Sequence, residues 1–213
     1  MHKLTRGGKP GCLDNYKHGR DNWRSVTPRD KQEIWVELDN MQRGFCAYCE
    51  SNMDGGRHIE HFRQKGRVPV ETFMWANLFG SCNSATSCGR SKDSGLGYSD
   101  DHLIKPDIDD PDNYFIFVRD GSIRVRADTE PKGSETLRVF GLNPNFGKLR
   151  EQRCEAIRRH IATIEYYSEL CQQDPLNQLG WLEDLIEELA QIDMEPYSTA
   201  IRHAYRAFLP IQI

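Results

Sequence analysis

Two pairs of cysteines constrain the fold of this chain more than any other feature of its sequence. Cys46 and Cys49 form a C-x-x-C motif, and Cys82 and Cys88, with five residues between them, follow further along the chain. Two thiolate pairs at the ends of a loop supply the four ligands that a tetrahedral structural zinc ion needs. A thioredoxin-like redox motif would require a βαβ context, which the sequence lacks. We therefore predict a structural Zn²⁺ ion bound by these four cysteines.

The cysteine count does not favour a disulfide framework. The chain has seven cysteines, an odd number, and its basic N-terminus has no apolar segment of the secretory type. No stretch approaches the roughly 18 apolar residues of a membrane span. We therefore expect a cytoplasmic protein with no membrane partner.

Positive charge is concentrated in two parts of a chain whose formal net charge is −4. Residues 1–26 contain six Lys or Arg and two Asp, and residues 57–92 contain six Lys or Arg and two Glu, so each part carries +4. Because phosphate contacts dominate affinity for nucleic acids, a local basic patch can bind them despite a negative total. Two such patches also arise by chance, so charge alone leaves nucleic-acid binding open.

The pattern along the chain predicts an α+β protein in three parts. Residues 1–26 are rich in Gly and basic side chains and are predicted to form a basic N-terminal arm. Residues 27–147 would form the core, which begins with an amphipathic helix and ends with a β-hairpin that turns at Asp120-Gly121. Residues 148–213 carry apolar stripes at helical spacing, which predicts a helical C-terminal region.

The loop between the two cysteine pairs holds the residues best suited to catalysis. The segment HIEH places His58 two residues before Glu60, and His61 directly after it. A neutral imidazole can accept a proton from water, and a carboxylate can bind a hard divalent ion. Adjacent residues of a strand point to opposite faces. Glu60 and His61 can therefore serve one site only if the backbone is irregular or if they approach a substrate from different sides.

The order of these segments resembles that of the HNH, or ββα-metal, endonucleases. The segments that carry the resemblance, within residues 1–160, are CAYCE, HIEHFRQKG, WANLFGSC, CGRSKD, LIKPDIDDPDNYF and TLRVFGLN. The first four match the nuclease core, and the last two narrow the resemblance to the HNH endonucleases of retron-associated and Septu-type antiphage defence. The resemblance implies a zinc-stabilised ββα-metal core that hydrolyses DNA with Mg²⁺ or Mn²⁺, as the effector of a defence complex.

The resemblance also implies a role for individual residues. Glu60 would bind the catalytic ion, His61 would be the general base, and Asn77 would hold the loop that bears the base. His58 is expected to support Glu60 by a hydrogen bond. The basic residues expected to contact phosphate are Arg57, Arg63, Lys65 and Lys92, of which the last can equally contact a carboxylate.

The chain departs from the family pattern at the end of the motif. HNH motifs usually end with an Asn or His metal ligand after the final cysteine, where this chain has Gly89, Arg90 and Ser91. The candidates to replace that ligand are Asp93, Asn83 and His102. Otherwise the ion would be held through Glu60, phosphate and water.

Two further functions stay open at the level of the sequence. The chain could be a zinc-stabilised module that binds nucleic acid or a partner with weak or no cleavage, or a nuclease acting on RNA such as tRNA. The resemblance implies an ABC/SMC-like ATPase as partner, in some systems with a retron reverse transcriptase and its single-stranded DNA. The N-terminal arm and the C-terminal helices are the candidate docking surfaces.

Overall fold

The fold is α+β, as the sequence predicts. A computed structural model describes residues 1–145, 147–175 and 180–209, and these residues form seven α-helices and two small antiparallel sheets. Residues 210–213, at the end of the predicted helical region, lie outside the described residues. No helix in the described residues is both long and apolar enough to cross a membrane. The chain divides into two compact units.

The first unit consists of residues 1–114 and 128–142. Its helices and strands are α1 (Pro28–Gln42), β1 (Arg57–His61), β2 (Leu78–Cys82), α2 (Cys88–Lys92) and α3 (Lys132–Val139). Strands β1 and β2 pair antiparallel, with Arg57 opposite Cys82 and His61 opposite Leu78. The pairing brings the HIEH segment beside the second cysteine pair.

Helix α1 packs on β2 and completes its hydrogen bonding. The helix begins where the Thr27 hydroxyl accepts a hydrogen bond from the backbone N–H of Asp30, and Pro28 suits the first turn. At its other end the Gln42 side chain accepts a bond from Gly80 N–H (2.7 Å) and donates one to Gly80 O (2.9 Å). The side-chain amide of Gln42 thus forms the hydrogen bonds to β2 that a neighbouring strand would otherwise form. The apolar residues of α1 buried in this unit are Ile34, Trp35, Leu38 and Met41.

The N-terminal segment differs from the predicted arm, because it is part of the first unit and buries some of its side chains there. Leu4 is 2% exposed. The Arg6 guanidinium bonds the Asp107 carboxylate (2.7 Å) and lies over the Trp75 ring, 4.7 Å from its centroid. The buried residues of this segment lie in short turns and extended backbone, so their spacing carries no helical or strand period. Sequence periodicity therefore could not reveal that some residues of this segment are buried in the first unit, namely Met1, Leu4, Cys12, Leu13 and Val26.

The second unit consists of residues 115–127 and 143–213. Its strands and helices are β3 (Phe115–Phe117), β4 (Ile123–Val125), α4 (Lys148–Arg159), α5 (Ile161–Gln173), α6 (Trp181–Ile192) and α7 (Ser198–Phe208). Helix α7 packs against α4, α5, α6 and β3. The sequence therefore predicted the helical character of this region correctly.

The predicted hairpin is confirmed, although it belongs to the second unit. Asp120 accepts a hydrogen bond from Ser122 N–H (2.9 Å), and Gly121 takes a φ of 80° that favours glycine. The structure groups this hairpin with the C-terminal helices, whereas the boundary predicted at residue 147 placed it with the core. The reason is that β3 buries Phe115 and Phe117 and packs against α7.

Candidate active site and metal centres

The four cysteines of the two predicted pairs converge on one point. Their Sγ atoms all lie within 4.8 Å of one another, and all four side chains are buried. The Sγ atoms of Cys49 and Cys82 are 3.9 Å apart. A zinc ion with four sulfurs at about 2.3 Å separates them by about 3.8 Å, whereas a disulfide needs about 2.0 Å. The cluster therefore fits a tetrahedral metal ion such as zinc.

Local backbone geometry builds this cluster from three elements. Cys46 N–H donates to Ser51 O (3.0 Å), which closes the turn that holds the first pair. Cys82 ends β2, while Cys88 begins α2 with a φ of 59° and donates its N–H to Phe140 O (2.7 Å). Hydrogen bonds from the neighbouring thiols, that of Cys46 foremost, lower the pKa of Cys82. Hydrogen bonds with the neighbouring thiols raise the pKa of Cys49 and Cys88, so these two sulfurs would lose their protons on binding a metal ion.

A second group of possible metal ligands is less suited to binding an ion than the four-cysteine cluster. Cys12, Asp30 and Glu33 also bring their ligand atoms within 4.8 Å of one another. Burial, with help from Glu33 and Asp30, raises the pKa of Cys12 to about 11. The Cys12 thiol donates to the Asp30 backbone oxygen (3.4 Å), and the Asp30 carboxylate accepts from the Tyr16 hydroxyl. These groups satisfy one another by hydrogen bonds without an ion.

His61 ends β1 and is fixed by a hydrogen bond from one ring nitrogen. Its Nε2 lies 3.0 Å from the backbone oxygen of Thr72. A carbonyl oxygen only accepts, so Nε2 carries the proton and the lone pair of the neutral ring lies on Nδ1. The Trp23 ring packs edge-on against the imidazole, with centroids 4.5 Å apart. Both the tautomer and the orientation of His61 are thereby restricted.

The surroundings of His61 keep the imidazole neutral. The residue is 4% exposed. Burial first, and then the nearby charge of Lys65, lower the pKa of His61 to about 4, while Glu60 and the Thr72 carbonyl oppose this shift. At neutral pH the ring is therefore in the form that can accept a proton.

Asn77 ties down the loop that follows His61. Its Oδ1 accepts from Arg63 N–H (2.7 Å), and its Nδ2 donates to the backbone oxygens of Arg63 (3.0 Å) and Glu71 (3.2 Å). Asn77 is buried, so these bonds are not replaced by water. They fix both ends of the loop, and Thr72, which bonds His61, follows directly after Glu71.

Glu60 is buried between two cationic or potentially cationic groups. The carboxylate is 2% exposed. Lys92 Nζ lies 2.7 Å from Oε1, and His58 Nε2 lies 3.3 Å from Oε2. The Lys92 side chain is fully buried, and its ammonium also bonds Asp93 Oδ1 at 2.6 Å. Lys92 therefore contacts carboxylates, the second of its two predicted roles, and does not face solvent to meet phosphate.

His58 lies at the edge of an open cleft. The cleft has a volume of about 510 Å³ and is lined by His58, Ala85, Arg90 and Asp93. His58 Nδ1 lies 3.0 Å from Asn83 Oδ1, which also accepts from Arg90 Nη2 (3.2 Å). The hydrogen bond to Glu60 raises the pKa of His58 against the opposing effect of burial.

The position after the final cysteine has no room for a side chain. A Cβ atom placed on Gly89 would lie 2.4 Å from Glu60 Oε2. The Glu60 carboxylate thus occupies the space that a side chain at residue 89 would need. Of the residues considered as replacement ligands, Asp93 is bound by Lys92 and Gln64, Asn83 faces His58 Nδ1, and His102 is exposed on a separate 3₁₀ helix.

The basic residues predicted to contact phosphate differ in their availability. Arg57 bonds both oxygens of Asp39 (2.8 and 3.0 Å), and Arg63 bonds Glu71 (2.9 Å). Lys65 is exposed, and no ion pair joins it to the described residues. Arg90, which we did not predict as a contact, is exposed and lines the cleft. The signal in the sequence for a phosphate contact was that Arg90 follows Cys88 and lies on the same short helix as Lys92.

Two comparisons with known proteins found no match to this chain. No protein-family model matches it, and no curated protein matches it significantly in sequence. The function is therefore inferred from the geometry of the site and from the residues that build it.

Proposed function

We propose that the protein is a metal-dependent HNH-type endonuclease, in which His61 takes a proton from the water that attacks a phosphodiester. The observation that carries the proposal is the hydrogen bond from His61 Nε2 to the Thr72 carbonyl oxygen (3.0 Å). This bond leaves the lone pair on Nδ1, and burial keeps the ring neutral. A neutral histidine held in one tautomer can accept a proton from water, and its pKa of about 4 makes it a weaker base than a histidine that titrates near neutral pH.

The residues around His61 support the same step. When Nδ1 takes a proton, the positive ring is stabilised by the Thr72 carbonyl oxygen and by the negative charge of Glu60, both of which raise its pKa. Trp23 limits rotation of the ring by edge-on contact. Asn77 keeps Thr72 in place through the loop that precedes it. The base is thus oriented before substrate binds, which reduces the entropic cost of reaching the reactive geometry.

The donor atoms around Glu60 fit a divalent ion. Lys92 Nζ lies 2.7 Å from Oε1 and forms an ion pair with it, and no hydrogen bond satisfies that buried oxygen among the described residues. Oε2 lies 3.3 Å from Nε2 of His58, which borders the open cleft. Carboxylate oxygen and imidazole nitrogen are ligands for Mn²⁺, and carboxylate oxygen is a ligand for Mg²⁺. Strand β1 pairs with β2 in an uninterrupted register, so Glu60 and His61 leave opposite faces of the strand. In this proposal the ion and the base approach the scissile phosphate from different sides, and the ion would stabilise the negative charge that develops on it. Lys65 and Arg90 are exposed cations that would contact the phosphate backbone.

A second function is favoured by the contacts of Glu60 with Lys92. The ammonium at 2.7 Å already balances the buried carboxylate, and Gly89 supplies no ligand. These two facts suit a zinc-stabilised module that binds nucleic acid or a partner without cutting. Such a module would bind zinc but no second divalent ion.

The biological setting is proposed from the resemblance to HNH nucleases of antiphage defence. In that setting the protein acts on DNA as the effector of a complex with an ABC/SMC-like ATPase, with or without a retron reverse transcriptase and its single-stranded DNA. HNH chemistry does not itself choose the sugar, so RNA such as tRNA is the alternative substrate.

The experiment is a cleavage assay on supercoiled plasmid and on folded tRNA, with Mg²⁺ or Mn²⁺. Wild type and His61→Ala are compared with His18→Ala, a control that removes an exposed histidine. We expect metal-dependent cleavage by wild type and the control, and loss of cleavage by His61→Ala. Equal cleavage by His61→Ala contradicts the role of His61. Preferential cleavage of tRNA would show that RNA, and not DNA, is the substrate.

A further inference from the structure

We propose that His58 is a ligand of the divalent ion and binds it together with Glu60, in place of the side chain that residue 89 lacks. The inference rests on the proposed nuclease function and defines the ion site of that function. It changes the role of His58 from supporting Glu60 to binding metal directly.

Strand geometry brings the two donor atoms to one point. His58 and Glu60 are two residues apart in β1, so their side chains leave the same face of the strand. His58 Nε2 and Glu60 Oε2 are 3.3 Å apart. Two ligands that each lie about 2.1 Å from one ion, at a right angle to each other, are separated by about 3.0 Å. The observed separation is close to the one that a shared ion requires.

The hydrogen bond on the other ring nitrogen directs a lone pair toward Glu60. Asn83 Oδ1 also accepts from Arg90 Nη2 (3.2 Å), and because a guanidinium can only donate, this atom of Asn83 is the oxygen. His58 Nδ1, 3.0 Å from that oxygen, is therefore the protonated nitrogen of the neutral ring. The lone pair of Nε2 then faces the carboxylate oxygen of Glu60.

Two electron-rich atoms at this separation repel each other unless a cation lies between them. The cation is either a proton on His58 Nε2 or a metal ion bound to both atoms. A metal-binding histidine commonly donates its second N–H to a carbonyl or carboxylate oxygen, which fixes its tautomer and orientation. The Asn83 side chain supplies such an oxygen. The same contact with Asn83 also suits a His58 that is protonated on both ring nitrogens, so the experiment below decides between the proton and the metal ion.

The remaining neighbours of Glu60 are consistent with an ion on the His58 side. Lys92 Nζ lies on Oε1 and leaves Oε2 directed to His58. Asp93, the exposed residue that follows α2, already bonds Lys92 (2.6 Å) and Gln64 (2.8 Å) through Oδ1. His58 borders the cleft of about 510 Å³, so an ion and a phosphate can reach it from solvent.

The test is pulsed electron paramagnetic resonance on the full zinc-loaded chain with added Mn²⁺. A coordinated imidazole nitrogen couples to the Mn²⁺ electron spin and modulates the echo, whereas carboxylate and water oxygen do not. We expect nitrogen coupling in wild type, and its loss in His58→Ala with Mn²⁺ affinity at least about tenfold lower. His18→Ala, the exposed-histidine control, keeps both the coupling and the affinity. Asn83→Ala is expected to keep the coupling but to bind Mn²⁺ about tenfold more weakly.

The outcomes separate this inference from the nuclease proposal. Mn²⁺ bound without nitrogen coupling, or coupling that persists in His58→Ala and disappears in His102→Ala, overturns the assignment of His58 but leaves the nuclease standing. No Mn²⁺ binding by wild type, measured by calorimetry, overturns both proposals, because a proton alone then bridges His58 and Glu60 and the nuclease lacks its divalent ion. Coupling through His58 in a protein that cuts neither plasmid nor tRNA supports the ion site and contradicts the nuclease. If His58→Ala fails to fold, His58→Gln takes its place, and its nitrogen coupling is compared with that in the wild-type spectrum.

Discussion

His61 donates its Nε2 proton to the backbone oxygen of Thr72 over 3.0 Å, and this bond determines which ring nitrogen can accept another proton. The acceptor belongs to the backbone, so no side chain at position 72 has to be of a particular type. The position of Thr72 depends instead on the loop before it. Asn77 holds that loop, so the orientation of His61 depends on Asn77 although the two residues need not touch.

Replacing Asn77 with Ala should reduce both stability and cleavage. The change leaves three backbone groups of Arg63 and Glu71 without partners in a buried position, which costs about 1–3 kcal/mol of unfolding free energy. Movement of Thr72 should also lower the cleavage rate at least about tenfold, because misplacement of a base by about 1 Å is costly. Urea unfolding and plasmid cleavage measure the two effects. Asn40→Ala, on the exposed face of α1, is the control and should change neither.

The cysteine cluster should bind one zinc ion that the first unit needs to fold. Cys46→Ser should abolish zinc binding, measured by elemental analysis, because a hydroxyl is a poor zinc ligand. We expect the unfolding temperature of the first unit to fall by at least about 10 °C, or roughly 3 kcal/mol for a chain of this size. Cys154→Ser, a half-exposed position on α4, is the control. Full zinc content in Cys46→Ser would contradict the assignment of the cluster.

A side chain at residue 89 should disturb the Glu60 carboxylate. The Cβ of Gly89→Ala would lie 2.4 Å from Glu60 Oε2, and the contacts of Glu60 with Lys92 and His58 oppose its movement. Overpacking of this kind costs about 1–3 kcal/mol, and we expect Mn²⁺ affinity to fall as well. Gly66→Ala is the matched control, because no atom lies within 4 Å of a Cβ placed there. Unchanged stability and affinity in Gly89→Ala would show that this part of the site is not tightly packed.

His61 should make stability depend on pH in the acidic range. Burial lowers the pKa of His61 to about 4, whereas a histidine in an unfolded chain titrates near about 6.5, so the unfolded chain binds this proton first. The contribution of His61 is full above pH ~6.5 and is lost as the pH falls toward ~4. From pH ~6.5 to ~5 the loss is about 1.6 kcal/mol. Urea unfolding of zinc-loaded wild type and His61→Gln at both pH values measures it, and an equal loss in the two proteins would contradict a buried neutral imidazole.

The sequence predicted the parts of the fold that have periodic or compositional signals. Helix α1 has a Thr27 cap, Pro28 in its first turn and apolar residues at helical spacing, and the structure forms it from Pro28 to Gln42. The hairpin turn at Asp120-Gly121 and the cysteine cluster follow equally from local residue types. These features are encoded within short stretches, so reading one stretch at a time recovers them.

The parts that the sequence did not predict depend on contacts between distant residues. Trp23 packs on His61, and part of the N-terminal segment is buried in the first unit, without any periodic pattern in that segment. Thr72 acts through its backbone oxygen, which leaves no signature in the residue type. The partner of Lys92 was one of two possibilities, phosphate or carboxylate, and only the three-dimensional arrangement places it on Glu60.

The most direct test of the proposed function is the single-turnover rate at which the protein cuts a labelled DNA duplex with Mn²⁺. Wild type is compared with His61→Ala, after zinc content and Mn²⁺ affinity show that the variant keeps both metal sites. We predict that His61→Ala lowers the rate by at least about 100-fold, the scale of a lost general base. A variant that retains both metals and cuts at the wild-type rate would contradict the account.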